Sequence, residues 1–170
     1  TDRPVILYNV PGRSAVNMLP ATIAELANDE RVIAVKEASG DLSQVAEVAR
    51  LTRGRLHLYS GNDDQVLPVM SLGGSGVISV LANVAPRQVS RMVHAYVEGE
   101  TAEATALQLD LLPLIQALFA ESNPIPVKAA VGMLGFAVGD LRLPLTAATA
   151  ATRDRVAAAL RGAGIEARID

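Results

Sequence analysis

The sequence predicts an α/β fold built on a parallel sheet, and two observations carry this prediction. Short apolar runs rich in β-branched residues begin near Val5, Val32, Leu56 and Val77, with starts 27, 24 and 21 residues apart. Each run is continuous rather than alternating, which is typical of strands buried on both faces. A loop rich in Gly, Asn, Asp and Ser and then a segment of helical period follow each run, so the pattern is one of repeated βα units.

The segments between the runs are predicted helices. They span about residues 20–28, 41–52, 63–72 and 86–98. Asp41 and Asp63 are the expected N-caps, because a carboxylate can accept the free amide hydrogens of a first turn. Pro20 and Pro86 suit the first helical turn, where no amide donor is needed.

The strand pattern stops after residue 98. Helical segments follow at about residues 101–120, 126–135 and 147–161, the last ended by glycines 162 and 164. We therefore predict two parts, a βα array over residues 1–98 and a helical C-terminal region over residues 99–170.

The composition narrows the classes of function. Half of the 170 residues are hydrophobic and 19% are charged, which predicts a folded protein with a sizeable core. The net charge is −3 and there is no basic block, so a nucleic acid is not an expected partner. The absence of cysteine excludes disulfides and thiol nucleophiles and favours a cytoplasmic location. No apolar run reaches the ~18 residues of a membrane span, so no membrane partner is expected.

Lys36 is the most informative candidate for catalysis. It ends the run Val-Ile-Ala-Val, and in βα arrays the ligand site lies at the carboxyl ends of the strands. A charged ammonium is costly in a buried strand, and a desolvated lysine becomes an amine nucleophile able to form a Schiff base with a carbonyl substrate. The alternative is a lysine that reaches the rim or pairs with a carboxylate.

Tyr8 and Arg13 are two further candidates near the first strand. Tyr8 ends that strand, where its hydroxyl could relay protons, although a structural rim aromatic is an alternative. Arg13 lies in the following Pro-Gly loop, where its guanidinium could hold a substrate carboxylate or be simply solvated.

Other motifs predict structure rather than chemistry. Residues 73–76 are glycine-rich but lack the lysine of a phosphate-binding loop and precede a strand. Residues 62–64 favour helix capping over a metal site. His57 and His94 have no catalytic partner pattern around them. We predict no cofactor and no metal.

Five motifs together resemble one family. They are YNVPGRS at 8–14, VKEASGD at 35–41, SGND at 60–63, GVIS at 76–79, and NPIPVK at 123–128 with LRLPL at 141–145. In this order and spacing the chain resembles the dihydrodipicolinate synthase family of pyruvate-dependent class I aldolases and lyases, which also includes N-acetylneuraminate lyase. The resemblance implies a (β/α)8 TIM barrel followed by a C-terminal helical region.

The resemblance also implies site residues. Lys36 matches the Schiff-base lysine that condenses with pyruvate, and Tyr8 matches the proton-shuttling tyrosine. Gly61 and Ile78 match positions lining the pyruvate end of the site, Ile78 through its main-chain carbonyl. Arg13 matches the arginine that holds the carboxylate of L-aspartate 4-semialdehyde, where neuraminate lyases carry an apolar residue.

The implied activity is the condensation of pyruvate with L-aspartate 4-semialdehyde to 4-hydroxy-tetrahydrodipicolinate, a step of lysine (diaminopimelate) biosynthesis. The implied assembly is a homo-oligomer, a tetramer in the family. Another pyruvate-dependent aldolase of the same family is an alternative, since selectivity for the second substrate also depends on loops outside this chain.

The length predicts an incomplete barrel. A (β/α)8 barrel needs about 250 residues, and this chain supplies four strands. The resemblance begins at the family's fifth strand, so the chain is expected to be the C-terminal part, without the pyruvate-carboxylate loop and the other members of the proton relay. It would be half of a cut, incompletely recorded or two-chain enzyme, or else a catalytically silent half-barrel scaffold.

Overall fold

The computed structural model describes residues 2–167, and within them lies a four-stranded parallel sheet. The strands follow chain order across the sheet, so each connection is a βα crossover to the neighbouring strand. They are β1 (Val5–Asn9), β2 (Val32–Glu37), β3 (His57–Ser60) and β4 (Gly76–Val77). The predicted α/β class with a parallel sheet is confirmed.

Helices follow the strands, and after β4 the regular elements of residues 2–167 are helical. They are α1 (Pro11–Ser14), α2 (Pro20–Leu26), α3 (Leu42–Thr52), α4 (Val66–Ser71), α5 (Pro86–Val97), α6 (Thr101–Asp110), α7 (Leu112–Leu118), α8 (Ile125–Met133) and α9 (Ala150–Gly162). Short 3-10 turns at Asp63–Gln65 and Leu81–Asn83 complete the pattern. None of the helices within residues 2–167 combines the length and the apolar character that crossing a membrane requires.

The chain divides into two compact units between Ser79 and Val80. This division falls earlier than the predicted boundary after residue 98, because α5 packs against α6 and against the 3-10 turn Leu81–Asn83. The assignment of residues 1–98 to a barrel half and 99–170 to a helical region stays a prediction.

In the first unit the two faces of the sheet differ. Leu7, Val35 and Leu58 are register partners on adjacent strands, and Val35 and Leu58 are 0% and 4% exposed. Helices α2, α3 and α4 cover this face with apolar side chains, which are Ile23, Val45, Val48 and Val69. Since successive strand residues face opposite sides, the row of Tyr8, Lys36 and Tyr59 lies on the other face.

In the second unit a helical core forms around α9, which packs against α7 and α8. The side chains at its centre are fully or almost fully buried: Leu114, Leu118, Ala130, Val156 and Leu160. The helix predicted over 101–120 is divided in two, since α6 ends at Asp110 and α7 begins at Leu112 with a proline in its first turn.

The predicted caps have different outcomes. Asp41 caps α3, its carboxylate accepting from the amides of Ser43 at 2.8 Å and Gln44 at 3.2 Å. The predicted cap at Asp63 is wrong, because the Asp63 side chain is buried and accepts a hydrogen bond from the Ser79 hydroxyl.

Candidate active site

Lys36 and Tyr8 meet on the sheet face opposite the helices. Both are the penultimate residue of their strand, and the parallel register sets them side by side. The Lys36 Nζ lies 4.3 Å from the centroid of the Tyr8 ring, a distance at which a cation is attracted to an aromatic face. An amine nucleophile and a phenol that can exchange protons are thereby adjacent.

Lys36 is half-buried, which lies between the desolvated lysine and the rim lysine that the sequence allows, and Tyr8 is 50% exposed. The physical reason is the position of the row: the helices cover the face that carries Val35, and Lys36 projects from the other face. The helices of this unit therefore bury Val35 and leave Lys36 half-buried.

Tyr59 is a neighbour of Lys36 that the sequence reasoning missed. It is the register partner of Lys36 on β3, so the strand positions place the lysine between two tyrosines on one face. The signal was present in the sequence, since Tyr59 precedes the last residue of its strand just as Tyr8 and Lys36 do.

Directly after these residues, Asn9 and Glu37 form a buried polar pair. They are 1% and 2% exposed and are themselves register partners. The Asn9 amide group donates to both carboxylate oxygens of Glu37, at 3.1 and 3.0 Å. This pair joins the carboxyl ends of β1 and β2 on the side away from Lys36.

Gly61 follows β3 and lies against the end of β2. Its amide donates to the Glu37 carbonyl at 2.7 Å. A Cβ at this position would lie 2.5 Å from the Ala38 Cβ and 3.0 Å from the Glu37 carbonyl oxygen, so only glycine fits without displacing the backbone. Its predicted role in lining a substrate site stays a prediction.

Ile78 follows β4 at the same edge of the sheet. Its amide donates to the Ser60 carbonyl at 3.0 Å, and its side chain is 38% exposed. The hydrogen bond from the next residue, Ser79, to buried Asp63 fixes the path of this segment. Ile78 thus lies beside the end of β3, and its predicted role through the main-chain carbonyl stays a prediction.

Arg13 lies on the one-turn helix α1, in the segment predicted as a loop. Its side chain is exposed, and within residues 2–167 its guanidinium forms no hydrogen bond or ion pair. The structure shows no contact between Arg13 and either Lys36 or Tyr8, so its predicted role in binding a carboxylate stays a prediction.

The histidines take part in local hydrogen bonds. The His57 Nδ1 lies 3.3 Å from the Ser75 hydroxyl, and the His94 Nδ1 lies 2.8 Å from the Ser90 carbonyl one turn earlier in α5. In the part of the chain that the structure describes, no three His, Cys, Asp or Glu side chains are grouped as metal ligands.

Comparison with known proteins assigns the family. The model of the dihydrodipicolinate synthetase family matches residues 1–163. A 4-hydroxy-tetrahydrodipicolinate synthase from Thermoanaerobacter sp. (strain X514) is 56% identical over 145 residues, which cover 85% of this chain and 49% of that protein.

Two solved structures are similar throughout the chain. A monomeric dihydrodipicolinate synthase variant has a TM-score of 0.94 at 40% identity, covering 98% of this chain and 57% of its own. A chloride-inhibited dihydrodipicolinate synthase from Acinetobacter baumannii in complex with pyruvate has a TM-score of 0.92 at 36% identity. The match covers 98% of this chain and 57% of the Acinetobacter chain.

The chain spans about half the length of the curated relatives it matches. These percentages report only how much of each relative is matched. They do not confirm the prediction that this chain corresponds to the C-terminal part of its relatives. The family itself is shown by a model that matches nearly the whole chain. The chain belongs to the dihydrodipicolinate synthetase family.

Proposed function

We propose that this chain carries the Schiff-base lysine of an enzyme that condenses pyruvate with L-aspartate 4-semialdehyde to 4-hydroxy-tetrahydrodipicolinate. The observation that carries the proposal is the position of the Lys36 Nζ, 4.3 Å from the Tyr8 ring centroid at the carboxyl ends of β1 and β2. The name of the 56%-identical relative and the pyruvate bound to the Acinetobacter baumannii enzyme support the same reaction.

In the proposed first step, the neutral Lys36 amine adds to the keto carbon of pyruvate. Loss of the former keto oxygen as water leaves an imine, and the Tyr8 hydroxyl is the group placed to deliver and recover protons. Removal of a methyl proton from the imine gives an enamine, whose carbon attacks the aldehyde of the second substrate, and the resulting alkoxide takes up a proton. The amino group of that substrate then closes the ring by displacing the Lys36 amine, which releases the product. Neither a metal nor a cofactor is required for these steps.

The remaining predicted residues have roles that fit their positions. Gly61 and Ile78 would border the pyruvate end, since each directly follows a strand at the carboxyl edge of the sheet. The exposed Arg13 guanidinium would bind the carboxylate of the aldehyde, since a planar fork of donors suits a carboxylate. An aldehyde without a carboxylate should therefore be a poor second substrate.

We propose that the sheet is half of a (β/α)8 barrel, and that further strands of the longer protein would lie beside β1 and β4. The exposure of Ile6 and Tyr8 at 50% each supports this proposal, because a closed barrel fills its interior with such side chains. A homo-oligomer and a cytoplasmic location are part of the proposal. One structural relative is a monomeric variant, so a tetramer is not a condition for this fold.

Borohydride trapping tests the proposed function. The chain is incubated with pyruvate, reduced, digested and analysed by mass spectrometry for an adduct on Lys36. Lys36→Arg should abolish the adduct, and Lys128→Arg, which removes the only other lysine, should leave it unchanged. Absence of an adduct from a folded sample would favour a silent scaffold, the alternative that the half length supports.

A further inference from the structure

A buried carboxylate lies directly behind the candidate nucleophile. Glu37, the residue after Lys36, is 2% exposed and is not used in the proposed chemistry. Besides Asn9, its donors are the Ser39 amide at 2.7 Å and the Gln44 side chain at 3.3 Å. None of these donors is charged, so the carboxylate is held by neutral hydrogen bonds from three elements of the chain.

Asn9 extends this network to the segment before α2. Its side-chain oxygen accepts from the Met18 amide at 2.9 Å, and its amide group also donates to Asn17 at 2.9 Å. Asn17 and Gln44 exchange two side-chain hydrogen bonds, at 2.8 and 3.1 Å. Side-chain hydrogen bonds therefore connect the end of β1 to the end of β2 and to α3, through a network of four residues: Asn9, Asn17, Glu37 and Gln44.

We propose that Glu37 and Asn9 are positioning residues for the reaction at Lys36. This inference rests on the proposed function. Each follows a reactive residue by one position, so its side chain points to the opposite face and fixes the strand end from behind. The network holds the relative position of β1 and β2, and with it the distance between the Lys36 amine and the Tyr8 ring.

The chemistry of the network requires a carboxylate at position 37. An ionised carboxylate only accepts hydrogen bonds, and all three of its side-chain and backbone partners are donors. Glu37→Gln would turn an amide hydrogen toward at least one donor, which leaves a buried group unpaired and shifts the strand ends. In Asn9→Asp with Glu37→Gln the donor and acceptor are exchanged, so the pair should form again.

Nuclear magnetic resonance tests the positioning without pyruvate. Because a group above an aromatic ring is shielded, the Lys36 Hε signals should lie upfield of those of Lys128. Glu37→Gln should remove most of this upfield shift, and the double variant with Asn9→Asp should restore part of it. Thr52→Val alters a buried side chain whose hydroxyl donates to the Val48 carbonyl within α3, so it is the matched control and should leave the shift unchanged.

Trapping kinetics then separate positioning from general destabilisation. Glu37→Gln should slow trapping of pyruvate on Lys36 at saturating pyruvate by about 10- to 100-fold, as displacements near 1 Å do. The Tyr8→Phe variant has already lost the proton-transferring hydroxyl. Adding Glu37→Gln to it should slow trapping by less than about 3-fold, because the effects of two substitutions on the same Lys36–Tyr8 contact are not additive. If Glu37→Gln slows trapping by the same factor with and without the Tyr8 hydroxyl, the proposal is overturned.

The two experiments have distinguishable failures. If the unsubstituted chain forms no adduct but Glu37→Gln removes the upfield shift, the proposed function fails, and what stands is that Glu37 holds the Lys36 amine beside the Tyr8 ring. If the shift survives Glu37→Gln, the positioning role is wrong whatever the trapping shows. Should Glu37→Gln not fold, Gln44→Leu removes one of the donors to Glu37 at a half-buried position and should give a smaller change in the same direction.

Discussion

The two faces of the sheet use the same strands for different purposes. On the covered face, Val35 and Leu58 are 0% and 4% exposed beneath α2, α3 and α4. On the open face, Ile6 and Tyr8 are 50% exposed, and Tyr8 meets Lys36. Alternation along a strand thus separates residues that stabilise the unit from residues available for chemistry, one position apart.

The largest expected effect is on the open face. Tyr8→Phe keeps the ring beneath the Lys36 ammonium and removes only the hydroxyl, so we expect pyruvate trapping to slow by about 10²- to 10⁴-fold, the usual contribution of general acid–base catalysis. The midpoint of urea unfolding should not change. An unchanged trapping rate would show that the phenol takes no part in imine formation.

A matched pair of truncations compares the faces directly. Leu58→Ala should lower the free energy of unfolding by about 2–5 kcal/mol, because it leaves a cavity in the covered core. Ile6→Ala on the open face should cost about 0.5 kcal/mol or less. Urea unfolding of both variants measures the difference, and similar values would contradict the separation of the two faces.

A smaller effect is expected at the helix cap that supports the covered face. Asp41→Ala removes the acceptor for the amides of Ser43 and Gln44 and should cost about 1 kcal/mol in urea unfolding. Asp41→Asn retains an acceptor oxygen and should recover most of the loss. Equal losses in the two variants would show that the charge of Asp41, rather than its hydrogen bonds, is what matters.

The smallest effect is expected at a surface ion pair before β2. The side-chain hydrogen bond from Arg31, followed by that from its backbone amide, lowers the pKa of Asp29 to about 2. Because the folded pKa lies below the ordinary value of 3.8, this pair stabilises the fold above about pH 4 and loses its effect as the pH falls toward 2. The pair is exposed, so salt should screen it and the gain in stability should be slight.

A carbon-detected titration of Asp29 checks this pKa. The midpoint should lie near pH 2 in the unsubstituted chain and move toward the ordinary value in Arg31→Gln, which has no charge to pair with the carboxylate. A midpoint near 3.8 before substitution would contradict the ion pair seen in the structure.

The sequence predicted the features that depend on local pattern. The four apolar runs became strands, and the positions of Tyr8 and Lys36 near the ends of adjacent parallel strands predicted that they would lie at one edge of the sheet. Asp41 was predicted as a cap because capping joins residues two and three positions apart.

Features that depend on distant residues were not predictable in this way. Asp63 has the sequence context of a cap, and its acceptor role toward Ser79, sixteen residues later, exists only in the folded sheet. Asn9 and Glu37 are polar residues of types common in loops. They are buried because β1 and β2 pair in a register that no local sequence pattern predicts. The partial exposure of Lys36 likewise depends on which face of the sheet the helices cover.

The close approach at Gly61 has a consequence for how this chain tolerates variation. In a saturation library, half-buried Gly61 should accept fewer replacements than fully buried Val35. Any carbon added at Gly61 collides with Ala38, whereas a smaller side chain at Val35 only lowers the stability of the core. Every replacement would push on the backbone two residues beyond Lys36. Selection for reactivity and selection for backbone fit would therefore act on the same codon, although Gly61 has no functional group of its own.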